Sequence, residues 1–318
     1  MTLADDTTTP EEMDQRVDAA VLHAGDAPGD MARNARRGGV LLYLGIFIIG
    51  LSMLLAAFGP ELAPYDPSAA GSDISVAPPA LGDMPHLLLD SIAGRLRMPP
   101  HWMGTDQSGL DVFSRIITAP RTDMTIALLA AVLSCIIGTL LGLVAGYQRN
   151  IATESLMRVS DVLQAFPVFI TAMMLVALAG RSSINIVIAL VLVYTPIFVR
   201  LTRAEVMGQV PRTYVEAARA AGNRPIVIAL RHVLPNSLVP SIVQSSATVG
   251  FAIILTAGLS FVGAGVRPPT PEWGLMISQG APQLILGQWW CSVFPGLAMS
   301  IVVFGYAVVG HSFEARFR

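Results

Sequence analysis

The chain alternates between long stretches without charge and shorter polar segments, and the lengths of the apolar stretches decide its class. Gly39 to Phe58 runs for twenty residues without a charged side chain. At ~1.5 Å of rise per residue, such a run crosses the ~30 Å hydrocarbon layer as one helix. Five further stretches qualify: Met124–Tyr147, Val162–Gly180, Ile184–Val199, Leu238–Val262 and Trp289–Gly310. The fourth is short and carries Pro196 near its end. Backbone inside hydrocarbon must satisfy its own hydrogen bonds, so the pattern predicts an all-α membrane protein with six transmembrane helices. Residues 1–38 read as a polar amino-terminal tail with a short amphipathic helix near Met13–Leu22. Residues 39–310 read as the membrane domain and 311–318 as a carboxyl tail. Two connections are long, about 59–123 and about 200–237.

Composition sharpens this reading. Charged residues make up 13% of the chain and hydrophobic ones 53%, whereas a soluble domain carries about a quarter charged positions. All 20 basic residues are arginine. Without a lysine the chain has no P-loop and no Schiff-base nucleophile, so no ATP hydrolysis of its own is expected. Arg33, Arg36 and Arg37 precede the first span, while Glu61 and Asp66 follow it. The positive-inside rule then places the amino terminus in the cytoplasm, and six crossings return the carboxyl terminus there. On that topology the cytoplasmic segments hold fourteen of the twenty arginines, Arg149, Arg158, Arg200, Arg203 and Arg212 among them. The first 38 residues hold no apolar core of the kind a cleavable signal peptide needs. Cys135 and Cys291 lie inside apolar runs and read as small buried hydrophobes. His23, His86, His101, His232 and His311 show no metal-ligand spacing.

The connection from Arg200 to Ser237 is the most informative segment. Tyr214 to Ala221 favours helix, and Gly222 with Asn223 supplies a stop. A second helical run, Ile226 to Val233, leads to Pro235 and the next span. Ala217, Ala218, Ala220 and Ala221 offer a surface that a partner's backbone can approach closely, with Glu216 and the flanking arginines to set register. Helix propensity alone fits an ordinary loop equally well.

A resemblance separates the two. Glu216-Ala217-Ala218, three residues, Gly222, then Leu234-Pro235 resembles the EAA motif of permease subunits of bacterial ATP-binding-cassette importers. His101-Trp102-Met103-Gly104-Thr105-Asp106, continuing through Asp111 to Arg115, resembles the segment before the second span of dipeptide and oligopeptide permeases. Gly258-Leu259-Ser260-Phe261-Val262-Gly263, Pro268-Pro269, Pro271-Glu272-Trp273-Gly274 and Arg231-His232-Val233-Leu234-Pro235-Asn236 resemble the same subfamily. The similarity spans about residues 39–310 and is that of the second, or C-type, permease of a dipeptide/oligopeptide/nickel-type importer. It implies the six-helix fold of type I importer permeases in the bacterial inner membrane. Tyr214, Glu216, Ala217, Ala218, Arg219, Ala221, Gly222, Leu234 and Pro235 are the implied ATPase-coupling residues. The implied partners are a homologous second permease in a heterodimer, two ATPase subunits that bind ATP and Mg, and an extracytoplasmic solute-binding protein. Membrane lipid is a further partner, nucleic acid is not, and no cofactor is expected in this chain. Leu110 stands where the family usually has arginine, and 59–100 and the carboxyl tail also depart from it.

Polar residues in or near the spans are Gln164, Asn185, Gln244, Ser245, Ser246 and Thr248. A polar side chain facing lipid is costly, so these face either an interhelical hydrogen bond or a water-filled path; Gln244, Ser245 and Thr248 are the candidates for a translocation path. Pro167 and Pro196 read as hinge or helix-end positions, and Trp289 and Trp290 as interfacial anchors. An ion-gradient-driven secondary transporter is the alternative, but its usual intramembrane carboxylates are missing from the centres of the six runs. A non-transporting scaffold leaves the spacing of the 200–237 element unexplained.

Overall fold

The computed structural model describes residues 28–80, 82–92, 100–148 and 150–317. The expected amphipathic helix at Met13–Leu22 lies outside them, as do Arg16, Arg95, Arg97, Arg149 and Arg318. Helices dominate the described residues, and the single β-bridge among them pairs Thr105 with Asp111. The order is α1 (Pro28–Leu62), α2 (Met84–Ile92), α3 (Val112–Tyr147), α4 (Ile151–Ala165), α5 (Val168–Ala179), α6 (Ser183–Gln209) and α7 (Thr213–Ala220). It continues with α8 (Pro225–Ile228), a π-helical segment (Ala229–Val233), α9 (Leu234–Ser237), α10 (Val239–Phe261), α11 (Trp273–Gly280), a 3-10 turn (Ala281–Leu286) and α12 (Trp290–Phe317). The described residues fall into two units that divide after Leu44, and the packed bundle belongs to the second.

Among the described residues five helices are long and apolar enough to cross a membrane: Gly39–Leu62 within α1, α3, α6, α10 and Trp290–Phe313 within α12. The third expected span is different. Val162–Gly180 is not one helix, because α4 and α5 meet at an angle of 96°. Pro167 has no N–H to donate and pushes the residue before it out of the helical region. Phe166 is accordingly extended (φ −90°, ψ 144°), and Pro167 stands at the start of α5.

Two boundaries also move. The apolar pattern starts the second span at Met124, but α3 begins at Val112, where Asp111 caps it by accepting from the Ser114 N–H. Arg115, Arg121 and Asp123 read as loop residues in sequence, yet all three are helical. The fourth span does not stop near Pro196; α6 runs through it to Gln209.

The tightest packing joins α3 to α6. Ala130, Ser134, Gly138, Gly142 and Gly146 recur every four residues and stack on one face of α3; Ala130 and Ser134 are fully buried. A Cβ built on Gly142 would stand 2.6 Å from the Val199 carbonyl oxygen, and one on Gly146 2.7 Å from Val206 Cγ1. Small residues at such spacing let two backbones approach and gain dispersion contacts where lipid removes the hydrophobic incentive. The large side chains of α3 turn the other way. Leu133, Ile136, Ile137, Leu140 and Val144 are exposed on the protein surface.

The ladder predicts a sharp contrast between two glycines. Gly142→Leu drives a side chain into the α6 backbone and should cost about 3 kcal/mol or more. Gly208, on α6, has open space around its missing Cβ, so Gly208→Ala should be neutral or slightly stabilising. Thermal unfolding of the purified protein in detergent checks both.

Candidate functional site

The segment between α6 and α10 forms a compact two-helix projection at one end of the bundle. α7 ends in a Schellman turn: the Gly222 N–H donates to the Arg219 carbonyl (3.0 Å) and the Asn223 N–H to the Ala218 carbonyl (3.3 Å). Gly222 adopts φ +79°, a conformation that costs a side-chain-bearing residue roughly 1–2 kcal/mol. Asn223 fastens the turn again by donating Nδ2–H to the Ala218 carbonyl at 3.0 Å. Beyond it, Pro225–Ser237 winds continuously but passes through a π-helical turn at Ala229–Val233. Pro235 cannot donate to Arg231 and crowds its carbonyl, which is the strain a π turn absorbs.

Two side chains plug α7 into the bundle. Val215 is fully buried and Ala218 nearly so. They pack with Leu143 of α3, Val206 of α6, and Ile228, Ala229 and Val233 of the following run. Ala218 therefore serves internal packing, and the other face of α7 is left exposed. Glu216, Ala217, Arg219, Ala220 and Ala221 are exposed, as is Pro235, while Leu234 is half-buried. Tyr214 is exposed and donates its hydroxyl to Gln209 Oε1 at 3.0 Å. Ile226 and Leu230 add exposed apolar surface beside Arg219, Arg224 and Arg231. Val215 is not among the residues expected from sequence; its signal is an apolar side chain three positions before Ala218 on a short polar helix.

The element sits beneath a junction of three spans. Thr202 Oγ1 of α6 lies 2.9 Å from Ser241 Oγ of α10 and 3.5 Å from Thr139 Oγ1 of α3. All three hydroxyls are buried, and they join the start of α10, just after Pro225–Ser237, to α3 and α6. Of the expected path residues, Gln244 faces a cavity of about 700 Å³ between α6, α10 and α12, together with Glu205, Phe251, Val303 and His311. Ser245 and Thr248 turn their hydroxyls back onto their own helix, to the carbonyls of Ser241 and Gln244. Asn185 donates to the Ala179 and Gly180 carbonyls and closes the end of α5. Ser246 is half-buried, and its side chain faces Gly310. The Gln164 amide nitrogen is buried without a partner.

The opposite end is closed by the other family-like motifs. Thr105 accepts from the Val76 N–H through Oγ1, donates that hydroxyl to the Asp73 carbonyl, and accepts from Trp290 Nε1–H through its own carbonyl. Trp290 is thus buried and ties Thr105, and through it Asp73 and Val76, to α12, in place of the interfacial role expected for it; its neighbour Trp289 is exposed. His101 Nδ1 meets Asp111 Oδ1 at 2.7 Å. Leu110, the departure from the family pattern, is buried and holds Asp106 through its backbone N–H at 2.9 Å. Arg115 is buried, with Asp106 Oδ2 3.7 Å from Nη1. In the Pro271–Gly274 motif, Glu272 caps α11, Trp273 Nε1–H donates to the Ile116 carbonyl at 3.3 Å, and Gly274 lies against the Ala257 backbone. Cys135 and Cys291 are both free thiols.

A family model described as the inner membrane component of binding-protein-dependent transport systems matches residues 138–318. The chain is 39% identical to the di/tripeptide transport system permease protein of Pseudomonas aeruginosa (strain UCBPP-PA14), over 84% of each chain. It is 33% identical to the probable D,D-dipeptide transport system permease protein of Escherichia coli (strain K12), over 86% of each. With the glutathione transport system permease protein of Pectobacterium atrosepticum it shares 37% identity, over 66% of this chain and 69% of that one. The membrane-length helices and these relationships lead to one conclusion: the chain belongs to the family of inner-membrane components of binding-protein-dependent transport systems, as a multi-pass, C-type permease subunit of an ATP-binding-cassette importer.

Proposed function

We propose that this permease imports di- or oligopeptides, pairing with a homologous second permease so that one substrate path runs between the two. An extracytoplasmic binding protein delivers the cargo, and two separate ATPase subunits bind and hydrolyse ATP with Mg. The peptide reading rests on the relatives, whose names specify di- and tripeptides, D,D-dipeptides and glutathione. These share a short peptide backbone with a charged carboxylate. Family membership sets aside the ion-gradient-driven alternative.

One observation carries the mechanism. Val215 and Ala218 anchor α7 inward while Glu216, Ala217, Ala220 and Ala221 stay exposed. An ATPase gripping that exposed face, on the cytoplasmic side with both termini, pulls on a body already fixed to α3 and α6. A differential contact in one nucleotide state then biases the spans between inward- and outward-facing arrangements. Gln244 and the cavity beside it supply polar surface to the path.

Glu216→Arg reverses the charge of the exposed face, and Gly222→Val strains the Schellman turn. In co-expressed complexes each should reduce ATPase copurification and ATP-dependent peptide uptake at least tenfold, while membrane insertion is unchanged. Wild-type retention and uptake in both variants would make the element an ordinary loop. Val215→Ala deletes two buried methyl groups, roughly 2 kcal/mol of anchoring. Hydrogen exchange should then rise across 213–233 but stay constant in α3 and α6.

A further inference from the structure

Two carboxylates meet in the interior at the end of the bundle away from α7. Asp123 of α3 is 2% exposed and Glu272, just before α11, is 0% exposed. The backbone N–H that Asp123 accepts belongs to Trp273, the residue directly after Glu272, so the two carboxyls share one buried site. Glu272 accepts from the Gly274 N–H through Oε1 (2.8 Å) and from the Leu275 N–H through Oε2 (2.6 Å). Asp123 Oδ2 accepts from the Trp273 N–H at 3.2 Å. None of the ion pairs among the described residues reaches either group. Arg115 and Arg121 share a helix with Asp123, and Tyr306 and Cys291 lie on α12. Even so, the hydrogen-bond partners of the two carboxyls are backbone amides, that of Trp273 at Asp123 and those of Gly274 and Leu275 at Glu272.

Two buried anions at one site, with no ion-pair partner among the described residues to offset them, repel strongly at low dielectric. We propose that Asp123 and Glu272 form a proton-binding site, in which Asp123 holds the proton and donates it to an ionised Glu272. Geometry assigns the roles. Both Glu272 oxygens already accept N–H groups at the start of α11, where the helix dipole favours an anion. Asp123 uses one oxygen as an acceptor, which leaves the other to carry the proton. Burial pushes the Glu272 carboxyl up, while the amides and Asp123 draw it back. The bound proton fastens the segment that leads into α11 to the start of the second span, and Trp273 seals it from water.

Proton release on unfolding sets the sign of the pH dependence. An unfolded aspartate releases its proton above about pH 4, whereas the folded pair retains one. Unfolding therefore sheds a proton at neutral pH, and stability falls as pH rises until the folded site itself ionises. The unfolding equilibrium shifts about tenfold per pH unit for one proton. Infrared spectra of the purified protein in lipid nanodiscs at pH 7 should contain a protonated carboxylic-acid carbonyl band from a buried group. Asp123→Asn, which keeps shape and donor, should remove that band, retain wild-type melting at pH 7 and flatten the alkaline decline. Glu272→Gln should destabilise, because it removes the anionic cap. Absence of a protonated band in the wild type would overturn the site without recourse to any variant. A band lost in Glu272→Gln but kept in Asp123→Asn would overturn the assignment of the proton to Asp123. An alkaline decline in Asp123→Asn as steep as in the wild type would also contradict the proposal.

Discussion

Everything mobile in this permease hangs on the close approach of α3 and α6. In hydrocarbon, apolar side chains gain nothing by leaving lipid for one another, so two helices are held by contact and shape. The run of small residues from Ala130 to Gly146 supplies that shape. Because Gly142 and Gly146 touch the α6 backbone itself, the pair behaves as one rigid body rather than two sliding cylinders. Val215 is plugged between Leu143 of α3 and Val206 of α6, so the coupling proposed for α7 requires those two helices to move together. A looser pair would dissipate the displacement before it reached the hydroxyl junction at Thr202 and Ser241.

The two ends of that body are built for different tasks. At the α7 end the contacts are apolar and local, and polar groups point outward. At the other end, buried polar groups knit distant parts of the chain together. Thr105 ties residues 73 and 76 to Trp290, and Trp273 reaches back to Ile116. Buried polar networks of this kind specify a single arrangement at the expense of desolvation. Long-range polar contacts thus close the chain over α3, and local apolar packing holds α7.

Much of this is legible in the sequence, and the exceptions share a cause. Uninterrupted apolar runs locate five of the spans, and Gly222-Asn223 marks the end of α7 to within a residue. Helical periodicity is silent about faces, because a membrane helix is apolar all round and separates its faces by side-chain size. Gly138, Gly142 and Gly146 are readable only once small residues are sought at intervals of four. Arg115, Arg121 and Asp123 disguise the first three turns of α3 as loop, since charge in a helix is paired or buried only by tertiary contacts. Pro167 is visible, but a 96° bend and a straight continuation write the same residue. Trp290 looks like an interfacial anchor until Thr105, 185 residues earlier, is seen beside it. The role of Ala218 is likewise undecidable among four similar alanines without knowing which face of α7 meets Leu143.

The central claim is that the exposed face of α7 is the ATPase contact. The most direct measurement places a single cysteine at Ala221 in a background with Cys135→Ser and Cys291→Ser, within the co-expressed complex. The account predicts that a short thiol cross-linker joins this position to the ATPase subunit, with a yield that changes between nucleotide-free and ATP-bound states. Unhindered labelling of that cysteine by a bulky soluble maleimide in the assembled, active complex, with no cross-link in either state, would contradict it.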